Sequence, residues 1–248
     1  MAEYKFPTEI VDLPSKGHFY VQGHPLSSGK VEIKYMTAKE EDILTSQNLI
    51  QKGVVIEKLL QSLIVDKSIK IEDLLIGDKN AVMVAARILG YGKDYKFTYD
   101  GEEQSCDLTS LEAVDIDFSK FPRGKNQFEY KLPNSEREIT FKLLTGADEN
   151  EIDKEIKALE KISKEQGFEL TTRLKYMITS VDGKSEPSYI NNFVENEFLS
   201  VDSFEFRKYL SSITPDMDMS TTITDSNGKE QVITVPITVR FFWPSAGI

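Results

Sequence analysis

The chain has 248 residues, 40% of them hydrophobic and 29% charged, the composition of a globular protein long enough to bury a sizeable core. Its 30 basic residues face 41 acidic ones, and a net charge of −11 with no basic cluster argues against nucleic acid as a partner. A single cysteine excludes an internal disulfide, the first twenty residues lack an apolar stretch of signal-peptide length, and the longest apolar run, AVMVAA at 81–86, is too short to cross a bilayer. A soluble intracellular protein with no membrane contact is expected.

Residues 1–26 read as an N-terminal arm and hairpin, with Tyr4, Phe6, Ile10 and Leu13 set between Pro7 and Pro14. Next comes VEIKYM, a strand that places Val31, Ile33 and Tyr35 on one face. Thr37 lies three residues before Glu40, the spacing of a capping box, so a helix is predicted from residue 38 through Ile43, Leu44, Leu49 and Ile50 to Gly53. VVIEKLLQSLI predicts a second helix, with Val55, Leu59 and Leu63 on one stripe. The polar turn VDKS, the short segment IEDLLIG and the apolar helix DKNAVMVAARILGYG follow. A hairpin, YKFTYDGEEQSCDL, closes the unit, turned by Asp100-Gly101.

The pattern then returns. The strand EITFKLL precedes Thr145, 108 residues after Thr37, with Asp148 in the place of Glu40. The helix ENEIDKEIKALEKISKEQG follows, and RLKYMITSVDGKS echoes LLQSLIVDKS. LSVDSFEFRKYL echoes the long apolar helix, aligning Asp202 with Asp78. TTITDSNGKEQVITV echoes the hairpin, aligning Asp225 with Asp100. An α+β fold of two related strand–helix–hairpin halves is therefore expected, an internal duplication, with repeats at 27–118 and 119–240 and an aromatic tail at 241–248.

Residues that could carry chemistry are sparse. His18 and His24 lie six apart in a turn-rich stretch and Cys106 is distant, so the paired N/S ligands of a zinc site are missing and no metal or cofactor is expected. GHPLSSGK fails as a phosphate loop on its glycine spacing and on Val31, where a magnesium-binding hydroxyl belongs. Glu40-Glu41-Asp42 and Asp148-Glu149 sit in first helical turns, where the helix dipole favours solvated negative charge over acid–base work. No catalytic residue and no small-molecule substrate is assigned.

Three segments look built for contact. Ile152, Ile156, Leu159 and Ile162 form a narrow seam on an otherwise charged helix. The ending VRFFWPSAGI concentrates Phe241, Phe242 and Trp243 where chains are usually polar; as a strand it would turn Phe241 and Trp243 one way and Phe242 the other, one face for its own core and one for a partner. The arm with Tyr4 and Phe6 reads the same way.

The run LPSKGHFYVQGHPLSSGKVEIKYMTAKEEDILTS, then ARILGYGKDYKF, then the closing FFWP resemble the T-even-type bacteriophage baseplate hub subunit family. The likeness covers most of the first half and the final residues, and is loose from 120 to 235. Relatives with paired cysteines in the hairpin after the Tyr-Gly segment would form a zinc ribbon there; this chain has only Cys106. The resemblance implies a structural or assembly subunit of the tail baseplate of a contractile-tailed phage, without catalytic activity, located in the virion after assembly in the host cytoplasm. Its partners would be other tail and baseplate proteins, with a homo-oligomer left open. A transient tail-assembly chaperone, absent from the finished virion, and a hydrolase with an unrecognised site are the alternatives.

Overall fold

A computed structural model describes residues 6–162, 167–224, 229–237 and 241–243. It is α+β, with small antiparallel sheets between helices. In the first half β1 (Thr8–Asp12) pairs with β2 (Lys30–Lys34), Val11 opposite Val31. Then come α1 (Ala38–Thr45), α2 (Gln47–Gln51) and α3 (Val55–Leu63), after which Ile64 bridges back to Ile33. A short turn at Ile71–Asp73 leads into α4 (Ile76–Tyr91) and the hairpin of β3 (Asp94–Tyr99) and β4 (Glu102–Asp107). Asp100 and Gly101 both have positive φ, 48° and 83°, as a two-residue hairpin turn with the twist of its strands requires.

The second half follows a similar but not identical order. β5 (Phe128–Lys131) and β6 (Glu138–Phe141) pair, α5 (Gly146–Ile162) and α6 (Glu169–Met177) follow, and β7 (Ile178–Val181) returns to β6. After α7 (Pro187–Asn192) come α8 (Ser200–Ile213) and the hairpin of β8 (Ser220–Thr224) and β9 (Glu230–Thr234). Asp225, aligned above with Asp100, lies outside the described residues.

Local expectations mostly hold. Thr37 is the N-cap of a helix that starts at Ala38. The helix expected to run on to Gly53 instead breaks at Ser46, whose extended backbone (φ −69°, ψ 102°) ends α1 and starts α2. Serine favours such a junction because its hydroxyl competes with helical backbone bonding.

The cores do not follow the expected boundaries. One cluster gathers the first half's Leu13, Leu26, Ile33, Leu59, Leu63 and Val82 with Ile223, Ile233, Val235, Phe241 and Phe242 from the end of the chain. The other gathers Phe128, Phe141, Leu174, Phe193 and Phe206 of the second half with Phe19 and Leu75 of the first. The terminal hairpin thus completes the first core, with Tyr95 Oη donating to Pro236 O and Gln104 Nε2 to Thr224 O. Within the described part of the arm, β1 pairs in a sheet and Phe19 enters the second core.

The tail aromatics need the same correction. Phe241 and Phe242 are both buried, their rings edge to face at 5.2 Å, with Phe241 also meeting Tyr95 edge-on at 5.0 Å. They do not alternate as strand residues, so neither offers a face to a partner. Trp243 packs half-buried on the same core. Phe241→Ala should therefore destabilise the isolated protein by about 3–5 kcal/mol, read as a lower denaturant midpoint at unchanged slope. The 58% exposed Phe204, changed to Ala, should shift it by less than about 0.5 kcal/mol.

Candidate interaction site

Two buried aspartates organise the molecule. Asp78, in the first turn of α4, accepts from Ser15 N at 2.9 Å, Ser15 Oγ at 2.6 Å and Tyr20 Oη at 2.6 Å. Tyr20 Oη in turn accepts from Leu75 N at 2.9 Å. Burial pushes the Asp78 carboxyl up, against the pull of Ser15 and Tyr20, and burial with the facing Asp78 pushes the Tyr20 phenol up. Asp202, at the same place in α8, accepts from Asn134 N, Asn134 Nδ2 and Ser135 N at 2.8–2.9 Å. Burial raises its pKa, but the Asn134 and Ser135 donors outweigh this and hold it at about 2. Each aspartate thus clamps the loop after a Leu-Pro pair, Leu13-Pro14 and Leu132-Pro133, and each loop carries a non-glycine residue at positive φ, Lys16 at 50° and Glu136 at 58°.

The two strand-to-helix corners also correspond. Thr37 donates to Glu40 from both its N–H and its hydroxyl, and Lys34 Nζ reaches the other carboxylate oxygen at 2.7 Å. Thr145 donates to Asp148 in the same way, with Lys142 Nζ at 2.6 Å. Glu40 is fully buried, so the solvated helix start expected for it is incorrect: burial is answered by Lys34 and Thr37, which hold its carboxyl at about 2. Each lysine lies three residues before its threonine, a signal the capping-box spacing alone does not contain.

The halves meet head to tail at the second corner. Ile76 N donates to Leu144 O at 3.1 Å and Gly146 N to Leu74 O at 2.9 Å, a short backbone ladder across the seam. Gly146 keeps this approach uncrowded, because a Cβ would sit only 3.1 Å from Glu72 Cα and Ile71 O. The chain leaving α8 covers the adjoining face of α4: a Cβ on Gly77 would lie 2.0 Å from Pro215 O, and Asn80 Nδ2 donates to Asp216 Oδ1 at 2.9 Å.

The equivalent surface of the second half is bare among the described residues. Leu199 and Val201 are each 48% exposed and Phe204 is 58% exposed. Leu75, which corresponds to Leu199, is only 3% exposed. Matching Asp78 with Asp202 sets Val201 against Gly77 and Phe204 against Asn80, a contrast carried by the sequence itself.

The predicted contact residues fare unevenly. Ile152 is buried within the chain and drops out, while Ile156 and Leu159 are half-buried beside α6 and Ile162 is exposed. Phe6 is 38% exposed with Lys34 Nζ 6.0 Å over its ring, and Tyr4 lies outside the described residues. Both histidines make structural hydrogen bonds: His18 Nε2 donates to the distant Phe121 O, and His24 Nδ1 accepts from the nearby Leu26 N. Cys106 is buried opposite Tyr95, and no cluster of three or more metal-ligating side chains occurs among the described residues. A cleft of about 530 Å³ lies between Phe121, Phe128 and Tyr209, and one of about 170 Å³ follows the seam between Leu75, Leu144 and Pro215. Neither lining sets a serine, cysteine or histidine beside a base. Among the described residues no helix is long and apolar enough to cross a membrane.

Glu40 and Asp202 contribute an acid dependence. Their folded pKa values of about 2 lie below the ordinary 4.5 for Glu40 and 3.8 for Asp202. Their stabilisation is therefore complete above those ordinary values and is lost as pH falls through about 2. Asp78 acts oppositely, since acid relieves the strain of its buried charge. Denaturation profiles should show net stability falling over that acid window. Asp202→Asn should lower stability at neutral pH and shrink the acid loss; an unchanged acid slope would contradict the assignment.

No family model, curated protein or solved structure matches this chain.

Proposed function

We propose that the chain is a structural or assembly subunit of the tail baseplate, in its hub region, of a contractile-tailed bacteriophage, and that its two halves descend from one duplicated unit. One observation carries the functional reading. The stretch with the most specific resemblance, LPSKGHFY, supplies Ser15 and Tyr20, which lock α4 and Leu75 into the seam. Residues at such a junction serve rigid docking of large surfaces, as an assembly subunit needs. The exposed Leu199, Val201 and Phe204, close together in the chain at the start of α8, support the same reading, because neighbouring exposed apolar residues mark contact sites.

The duplication reading is supported by the shared element order, by the Lys-x-x-Thr corner with an acid three residues on, and by the clamped loop after each Leu-Pro. The acids differ in length, Glu40 against Asp148, yet reach corresponding partners, the N–H of Thr37 with Lys34 and the N–H of Thr145 with Lys142.

Quantitative mass spectrometry of purified particles tests the function. A structural subunit should appear at a fixed whole number of copies per tail. Its absence from particles, with accumulation in assembly intermediates, would overturn the structural reading in favour of a transient chaperone.

A further inference from the structure

The seam inside the chain is a contact whose two surfaces each have a counterpart in the other half. Its donor surface is the segment Leu74–Ile76 with the adjoining face of α4; its acceptor surface is the corner Leu144–Gly146 with the exit from α8 at Pro215–Asp216. In the second half the donor counterpart is Phe198–Ser200 with Val201 and Phe204 on α8. In the first half the acceptor counterpart is Met36–Ala38 with the exit from α4 at Tyr91–Gly92.

The contrast in burial is consistent across both pairs. On the donor side Leu74 and Leu75 are 0% and 3% exposed, whereas Phe198 is half-buried and Leu199 is 48% exposed. On the acceptor side Leu144 and Gly146 are buried, whereas Met36 is half-buried and Ala38 exposed. The backbone repeats the contrast. Ile76 N and Gly146 N are bonded across the seam, whereas Ser200 N and Ala38 N have no hydrogen-bond partner among the described residues. The donor counterpart carries the exposed Leu199, Val201 and Phe204, and the acceptor counterpart carries Met36 and Tyr91, half-buried against the first core.

We propose that the chain associates with further copies of itself head to tail, the Leu199, Val201 and Phe204 surface of one copy docking on the Met36–Ala38 and Tyr91 corner of the next. In that contact Ser200 N donates to Met36 O and Ala38 N to Phe198 O, repeating the ladder seen within the chain. The association is heterologous, so it closes into a ring if the rotation per copy allows and otherwise grows as a row. The occupant is a second copy because this chain already contains both halves of the required geometry. The inference rests on the correspondence between the halves and not on the baseplate reading, so the two fail separately.

Sedimentation analysis of three full-length proteins tests it: wild type, Phe204→Glu and Ala38→Arg. Both altered positions are solvent-exposed, and circular dichroism with the thermal midpoint checks that each variant folds. Wild type should assemble as concentration rises to about 100 µM, a range that reveals even a modest affinity. Each variant alone should assemble at least about tenfold more weakly, one interface energy of the kind a buried anchor carries. An equimolar mixture should form a dimer and stop, since each partner keeps the surface the other lost. A wild type that stays monomeric, variants that assemble as wild type does, or a mixture no larger than its components would overturn the proposal. So would Ala38→Arg dimerising alone, because that requires two Phe204 surfaces to meet each other.

Discussion

Two backbone hydrogen bonds, Ile76 N to Leu144 O and Gly146 N to Leu74 O, fix how one half of this protein sits on the other. Such bonds are directional, so they set a register that apolar contact alone leaves free. They form only because Leu74 and Leu75 are presented at the right height, and that depends on Asp78. Its carboxylate gathers Ser15 and Tyr20 into one node, and Tyr20 holds Leu75 N. Removing such a buried acceptor leaves several donors unmatched, which costs more than the net value of any one bond. The chain's central architecture is therefore a polar device inside an apolar setting.

The two cores show how the halves are kept together beyond the seam. Phe19 and Leu75 cross from the first half into the second core, while the β8–β9 hairpin and Phe241–Phe242 cross back into the first. Each half is thus completed by the other, and aromatic weight at the end of the chain serves internal closure. Among the apolar side chains left exposed, Leu199, Val201 and Phe204 lie together at the start of α8. Apolar side chains kept in water at the start of a helix make functional sense when another surface takes them out of it.

Local structure was readable where a short-range pattern has a single physical outcome. Thr37 with Glu40 placed a helix start to the residue, Asp100-Gly101 placed a turn, and period-two alternation placed the strand around Ile33. Readability ended where the outcome depends on distant partners. Nothing in VRFFW tells whether its aromatics meet this chain or another, and a hairpin's sequence does not name the core it joins. Glu40 looked solvated because acidic residues at helix starts usually are; its burial depends on Lys34, six residues earlier, meeting it in space. The bare patch is not legible in the sequence, because Leu199, Val201 and Phe204 fall at or on a helix that also carries the buried Phe206, and periodicity alone does not say which apolar residues find a partner.

Amide hydrogen exchange at four positions tests the account's central claim, that one docking geometry operates within the chain and again between copies. Ile76 and Gly146 should exchange slowly at every protein concentration, because their bonds lie in the seam. Ala38 and Ser200 should exchange fast in dilute solution and become protected as concentration rises. If Ile76 and Gly146 exchanged as fast as dilute Ala38 and Ser200, the seam would not hold the halves, and if Ala38 and Ser200 stayed fast at all concentrations, the geometry would not be repeated.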